Sequence, residues 1–319
     1  MAAMGTIRTG VSYMGHHNPR HLREDLAELA GLGCDDVLLA AQENDFVHMT
    51  GKLTFLPELC EPAGLRPIAI FWGVLNLFGG GRSSQFLLEH PEGRQMRPDG
   101  SSSPQGCYNN PLCLEHIQRM IDRVAGLGFA GYFVDEPTLL DCWCPSCQGR
   151  FQEAFGCRMA AGTVEQMRTF RRTCVIEYAR RVCTYVKSRH PRLETLCCLM
   201  PSDRQVWRDA AGVEGLDNLG TDIYWANIDR DVEEMTPLVR ELAALCRASG
   251  KRHHQWLQCW HVKAGREERI LQQGRILLRE RPDALYVWAY LGQIGTTEAC
   301  DDPAAAWEMA RQVLQEAKG

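Results

Sequence analysis

The chain has 319 residues, 45% of them hydrophobic and 24% charged, with a formal net charge of -5. That balance suits a globular protein and argues against a nucleic-acid partner, since no Lys/Arg-rich stripe accompanies it. The longest apolar run, Ile68 to Leu75, is too short to span a bilayer, so no membrane partner is expected. Met1 to Gly10 lacks the apolar core of a secretory signal, and the expected compartment is the cytoplasm. There, fifteen cysteines read as reduced thiols and metal ligands instead of disulfides.

Short β-rich apolar runs alternate with amphipathic stretches along the whole chain, the pattern of repeated βα units. Strand one is expected at Ile7 to Met14, followed by a helix from Pro19 to Leu32 with Asn18 as its cap and Leu22, Leu26 and Leu29 as its buried stripe. Strand two covers Asp36 to Ala41, with a helix near Leu53 to Ala63. Strand three, Pro67 to Gly73, reads apolar throughout, as a strand covered on both faces should. A long Gly-, Ser- and Pro-rich loop follows, Asn76 to Pro111, of a length that is usually functional.

A helix over Leu112 to Leu127 leads to strand four, Ala130 to Val134. Helices at Pro145 to Phe155 and Val164 to Arg189 precede strand five, Glu194 to Met200. Strand six is Asn218 to Trp225, with a helix at Val232 to Ser249. Strand seven is Arg252 to Gln258, with a helix at Arg266 to Arg281. Strand eight is Ala284 to Tyr290, and Pro303 opens a last helix to about Ala317. Eight strand-helix pairs joined by right-handed crossovers predict one closed (β/α)8 TIM barrel domain over residues 1–319. An open doubly wound sheet would want GxGxxG after strand one, where the chain reads Tyr13-Met14-Gly15-His16-His17.

Catalytic groups of such barrels gather where the strands end. Those ends are rich in aromatics: Trp72, Trp143, Trp225, Trp256, Trp260 and Trp288 fall at or just beyond them. Flat rings pack on the apolar C–H faces of sugars while polar neighbours grip the hydroxyls. The same ends carry Glu43, Asp135, Glu136, Asp222 and Glu298, and glycoside hydrolysis requires two carboxylates. Adjacent acids at the end of an apolar strand, just before Pro137, have no core role. The expected catalytic groups are therefore Glu136, Asp222 and Asp135. The expected saccharide contacts are Tyr13, Glu43, Trp72, Asn109, Tyr224, Trp225, Gln258, Trp260, Trp288 and Glu298.

After strand four, Cys142-Trp143-Cys144-Pro145-Ser146-Cys147 forms a CxCxxC knuckle running into a helix. Three thiolates at this spacing wrap one metal ion, and a fourth would close a tetrahedral structural zinc shell. Cys107 is the obvious donor, with Cys113 and Cys157 as substitutes. A closed shell would brace loops and take no part in catalysis, and no organic cofactor is expected.

The stretch Cys107 to Pro111, then Gly131 to Pro137, then Cys142 to Phe155 resembles the zinc-bearing β-galactosidases of glycoside hydrolase family 42. It is still more similar to barrel families grouped with the glycosyl hydrolases. The resemblance covers about fifty residues. It implies a TIM barrel, Glu136 as general acid/base, and Cys107, Cys142, Cys144 and Cys147 as zinc ligands. The chain departs from the galactosidases in having Asp135 where they have Asn. It also lacks the Glu that ends their strand seven, which here reads His253-His254-Gln255-Trp256-Leu257-Gln258. A second acid would then come from another strand, Asp222 on strand six being the one expected, as in the α-galactosidase type of barrel.

The function expected is hydrolysis of an O-glycosidic bond in a small saccharide or glycoside, with association into a homo-oligomer left open. Two alternatives stand beside it. One is a sugar lyase or isomerase with His254, His261 or His17 as base. The other is a barrel that binds saccharide without turning it over.

Overall fold

In the computed structural model residues 6–14, 18–80, 83–226 and 231–319 are described. Their strands are β1 (Arg8–Tyr13), β2 (Asp36–Ala41), β3 (Arg66–Phe71), β4 (Arg94–Met96), β5 (Ser102–Gly106), β6 (Gly131–Asp135), β7 (Glu194–Cys198), β8 (Asn218–Thr221), β9 (Arg252–Gln258) and β10 (Ala284–Trp288). The helices are α1 (Pro19–Gly31), α2 (Glu43–Val47), α3 (Thr50–Cys60), α4 (Gln85–Glu89), α5 (Pro111–Gly126), α6 (Pro145–Phe155), α7 (Val164–Arg189), α8 (Arg204–Ala211), α9 (Thr236–Ser249), α10 (Glu268–Arg279) and α11 (Pro303–Glu316). All strands but β4 and β5 form one closed parallel barrel, with β1 hydrogen-bonded to both β2 and β10. The expected (β/α)8 barrel is the fold.

Local chemistry sets the helix starts. Asn18 accepts from the Arg20 amide and Asn110 from the Leu112 amide, each with proline in the first turn. The Thr163 hydroxyl accepts from the Gln166 amide, and the Gln166 side chain answers back to the Thr163 amide, a reciprocal cap that opens α7.

The structure differs from the periodicity at a few points. The long loop after β3 is built: it holds α4 and the antiparallel β4–β5 hairpin. Strand six stops at Thr221 and strand eight at Trp288, because the residues beyond turn away to make loops at the barrel mouth. The short helices α2, α4 and α8 were not expected; at five to eight residues each, they carry too little pattern to read.

Alternation within each strand sorts side chains into two cores. One set, including Leu38, Ile70, Phe133, Leu196, Trp256 and Tyr286, fills the barrel interior. The intervening residues, among them Val11, Leu39, Phe71, Val134, Leu257 and Val287, face the helices. The end opposite the strand termini is sealed by ions. Arg66 donates to Glu194 at 2.6 Å, Arg252 pairs with Glu194 at 3.0 Å, and Arg8 and the Tyr286 hydroxyl meet Asp36. Burial works against ionising Glu194, but its arginines prevail and hold its carboxyl below the ordinary range. Of the described non-glycine residues with positive φ, all except Arg281 (Leu75, Asn76, Glu136, His261, Leu291 and Gln293) lie beyond the carboxyl ends of barrel strands. Backbone strain is therefore gathered at the mouth, as it is at functional sites.

Candidate active site

A cleft of about 410 Å³ opens at the carboxyl ends of the strands, lined by Trp72, Gly79, Gly80, Asp135, Glu136, Asp222, Tyr224, Trp256, Trp260, Trp288, Gln293, Thr297 and Glu298. Its volume falls in the range of small-molecule sites, roughly 300–1,000 Å³. Strand parity explains this membership. Asp135 shares the inward parity of Phe133, Asp222 that of Gly220, Trp72 that of Ile70, and Trp288 that of Tyr286. All continue the inner column of their strand beyond the last packed layer.

Glu136 breaks that parity. As the residue after Asp135 it would point outward in a regular strand, but its φ of 41° turns the chain and brings its side chain into the cleft. Its amide donates to the Cys198 carbonyl at 3.1 Å, which fixes the turn. The two acids converge on Gly79, whose amide donates to the Asp135 carbonyl at 3.1 Å. A Cβ built there would lie 2.5 Å from Asp135 Oδ2 and 3.2 Å from Glu136 Oε2. Only glycine lets this loop run directly over both carboxylates. At Gly80 a Cβ would collide with the Trp72 ring.

This crowding has an electrostatic consequence. Burial, and then the Glu136 charge, push the Asp135 carboxyl well above the ordinary carboxylate range. Burial raises Glu136 to about 7. The pair therefore holds protons at neutral pH that ordinary carboxylates would have released. Asp222 is only 5% exposed, and its Oδ1 has no hydrogen-bond partner among the described residues. The Tyr224 ring sits edge-on to Trp260 with centroids 5.3 Å apart, and Trp288 lies 5.7 Å from Trp256 and 6.0 Å from Trp72. The Trp288–Ala289 peptide is cis. Glu298 stands at the rim, paired with His261 at 3.2 Å.

Five of the residues expected to touch saccharide lie outside this cleft. Trp225 is 1% exposed; its Nε1 donates to Gln273 at 3.1 Å and Arg269 covers its ring. Tyr224 faces in, so its neighbour Trp225 has outward parity and sits among the helices. Tyr13 has outward parity too, and its hydroxyl donates to Asp25 at 2.5 Å. Gln258 is buried, with its amide donating to the Trp260 carbonyl and accepting from the Ala226 amide. Glu43 is tied by the Leu75 and Phe86 amides and the Ser84 hydroxyl, holding the loop after β3. Asn109 donates to Cys147 Sγ at 3.3 Å and Cys174 Sγ at 3.1 Å, serving the cysteine cluster.

The candidate histidine bases are placed elsewhere as well. His254 is fully buried inside the barrel, bonded through Nδ1 to Asn218 at 2.9 Å, and burial lowers it to about 3. His261 lies at the rim against Glu298, and His17 lies outside the described residues. Four cleft residues escaped the sequence reading, Gly79, Gly80, Gln293 and Thr297. Gln293, 4% exposed, has no partner for its Oε1 among the described residues, and Gly79 shapes the space over the acids. None belongs to a strand, so no periodicity announces it.

Cys107, Cys142, Cys144 and Cys147 come together as a buried cluster whose sulfurs all lie within 4.8 Å of one another. Cys107 Sγ is 3.5 Å from Cys147 Sγ and 3.8 Å from Cys144 Sγ. A tetrahedron of thiolates about 2.3 Å from a central ion has edges of roughly 3.8 Å, so this donor set fits a metal. The Cys113 thiol points away, toward the Gly93 carbonyl at 3.2 Å. The cluster joins the end of the hairpin to the first turn of α6, and the Trp143 amide adds a bond to Met96 in β4 at 2.8 Å.

No protein-family model matches the chain, and no curated protein does either. Solved structures do. A β-galactosidase from the Antarctic haloarchaeon Halorubrum lacusprofundi superposes with a TM-score of 0.74 at 16% identity, over 98% of this chain and 58% of its own. A β-galactosidase from the psychrophilic Marinomonas ef1 has a TM-score of 0.74 at 12% identity, over 98% and 60%. The catalytic domain of a β-amylase from Paenibacillus polymyxa matches over the full length of both chains, with a TM-score of 0.69 at 7% identity. The chain thus spans about three-fifths of the β-galactosidases it resembles, and at these identities the likeness establishes the barrel fold.

Proposed function

We propose that the chain is a glycoside hydrolase, with Glu136 delivering the proton to the departing oxygen and Asp222 as the second carboxylate. The observation that carries this reading is a group of three acids, Asp135, Glu136 and Asp222, facing one cleft walled by Trp72, Trp256, Trp260 and Trp288. Glycosidic cleavage needs one carboxyl protonated and another ionised beside the anomeric carbon. Burial holds the proton on Glu136 up to about pH 7, and that proton passes to the leaving oxygen as the C–O bond breaks. Asp222, with an oxygen that has no partner among the described residues, attacks the anomeric carbon or takes a proton from the attacking water. Asp135, neutral beside Glu136, donates a hydrogen bond to a sugar hydroxyl. The barrel neighbours, β-galactosidases, mannanases and a β-amylase by name, are consistent with this class.

The cysteine cluster takes no part in these steps. Zinc, if bound there, would be held by Cys107, Cys142, Cys144 and Cys147 in a closed shell that orders the loops flanking the acids. The deciding experiment is hydrolysis of a panel of aryl glycosides by the parent chain and by Glu136→Gln and Asp222→Asn. Each variant should lose at least about a hundredfold in turnover, the scale of general acid catalysis, and still bind sugar. Unchanged turnover in both would end the hydrolase reading; unchanged turnover in Asp222→Asn alone would move the second role to Asp135 or Glu298.

A further inference from the structure

Trp72 also lines a second pocket of about 510 Å³, between α2 and α4. It is lined by three residues with side-chain amides, Gln42, Asn44 and Gln85, together with Leu88 and Glu89, and Gln85 Nε2 donates to Glu89 Oε1 at 3.1 Å. Trp72 belongs to both the catalytic cleft and this pocket, and is the side chain that joins them. We propose that the second pocket is a saccharide subsite, so that the substrate is a neutral oligosaccharide laid across Trp72 with its scissile bond on the acidic side. The proposal rests on the carbohydrate reading above and adds the substrate class.

Three features carry it. Amides donate and accept from one group, as sugar hydroxyls do, and three of them around one space suit a ligand bristling with hydroxyls. Apolar surface is offered by the Trp72 ring and by Leu88, which is 68% exposed despite its size. That is the mixed lining a sugar ring prefers, flat apolar faces and a polar edge. Carboxylates outside the protonated pair also line both spaces, Glu89 in the pocket and Asp222 and Glu298 in the cleft, and they would repel uronates, sulfates and phosphates. Glu43 lies at the pocket floor but its oxygens are taken by Leu75, Ser84 and Phe86, so it shapes the pocket and leaves the gripping to the amides.

The test measures affinity against chain length. Glu136→Gln protein is titrated with β-1,4-linked gluco-, manno-, galacto- and xylo-oligosaccharides of one to five units. In at least one series, affinity should rise by about tenfold or more on passing from one unit to three, since the added rings find a prepared site. Asn44→Trp fills the pocket from an exposed position on α2 and should collapse that ratio toward one. Gln85→Ala, a gentler change on the opposite wall, should reduce it by several-fold, and melting curves establish that both variants fold. Affinity independent of length in every series, or a ratio unaltered by both variants, overturns the subsite. Length-dependent binding without hydrolysis of any glycoside by the parent chain would sink the hydrolase reading and leave the subsite standing. Aryl glycoside hydrolysis without length dependence would do the reverse.

Discussion

Glu136 sits one residue past the end of β6 in a left-handed conformation, and that single backbone feature converts an outward-facing acid into a cleft acid. Its raised titration has two consequences that can be checked separately. The proposed mechanism uses the protonated form in its first step, so kcat/KM should fall as pH rises through about 7. Stability follows the same proton. An ordinary Glu, with a value of 4.5, releases it on unfolding while the folded chain keeps it to about 7, so stability declines between those pH values. Glu136→Gln should therefore raise the melting temperature at pH 8 relative to the parent and leave it little changed at pH 4. A lower melting temperature at pH 8 would mean that the charge is compensated in a way the cleft does not reveal. Gly79→Ala should depress turnover at least about a hundredfold in a folded protein, because its methyl would displace the paired oxygens. Aromatic residues separate by parity: Trp260→Ala should cost about 1–3 kcal/mol in saccharide binding, the worth of one large apolar face. Trp225→Ala should cost about 3–5 kcal/mol in folding stability instead, as a cavity does in a packed core. Calorimetric titration and thermal melts of the two variants would distinguish these roles.

At the scale of elements, the acids are held by what surrounds β6. The loop after β3 lies over them through the Gly79–Asp135 bond, and the Thr138 amide donates to the Leu77 carbonyl at 3.0 Å, tying the loop after β6 to the same segment. The cysteine cluster anchors the next few residues to the β4–β5 hairpin. A metal in that cluster would therefore fix the far ends of the loop that follows the acidic pair and of the loop that covers it. Purified protein should contain close to one zinc per chain. Cys144→Ser should lower stability by several kcal/mol, because metal affinity is linked to folding. Turnover at temperatures below the melt should fall with metal content, since Glu136 depends on the geometry of those loops. Protein free of metal with an unaltered melting curve would remove the metal from this account.

At the scale of the whole molecule, chemistry and stability occupy opposite ends of the barrel. Strained backbone, aromatic rings and proton-holding carboxyls gather at the mouth, while the closed end is an ion network of Arg8, Arg66, Arg252, Asp36 and Glu194. Glu194→Gln would leave three arginines facing a neutral group. The loss should be of order 2 kcal/mol, less than the roughly 3–5 of a fully buried pair, because the arginines keep part of their hydration. Glu194 titrates below its ordinary range in the folded chain, so its own contribution is complete at neutral pH and is lost as pH falls below about 4.5, whereas burial raises Asp36 beside it. Denaturant midpoints at pH 7 and pH 3.5 for the parent and Glu194→Gln should converge at the lower pH.

What the sequence determined by itself was everything that repeats. Eight apolar runs with helical intervals specify a barrel because parallel strands need crossovers and covered faces, and the Cys142–Cys147 spacing specifies a cluster because it is local. The acids Asp135, Glu136 and Asp222 were legible for a related reason: they end strands, and strand ends of a barrel share one mouth. Which neighbours join them was decided only in three dimensions. Trp225 and Tyr13 sit at strand ends as credibly as Trp72 and Trp288 do, but one step of parity separates core from cleft, and the sequence does not mark where a strand begins to turn. Gln293 and Gly79 reach the cleft from loops without periodicity, and Glu43 and Asn109 were drawn into hydrogen bonds with segments dozens of residues away. Those placements depend on long-range contacts that exist only once the barrel has closed.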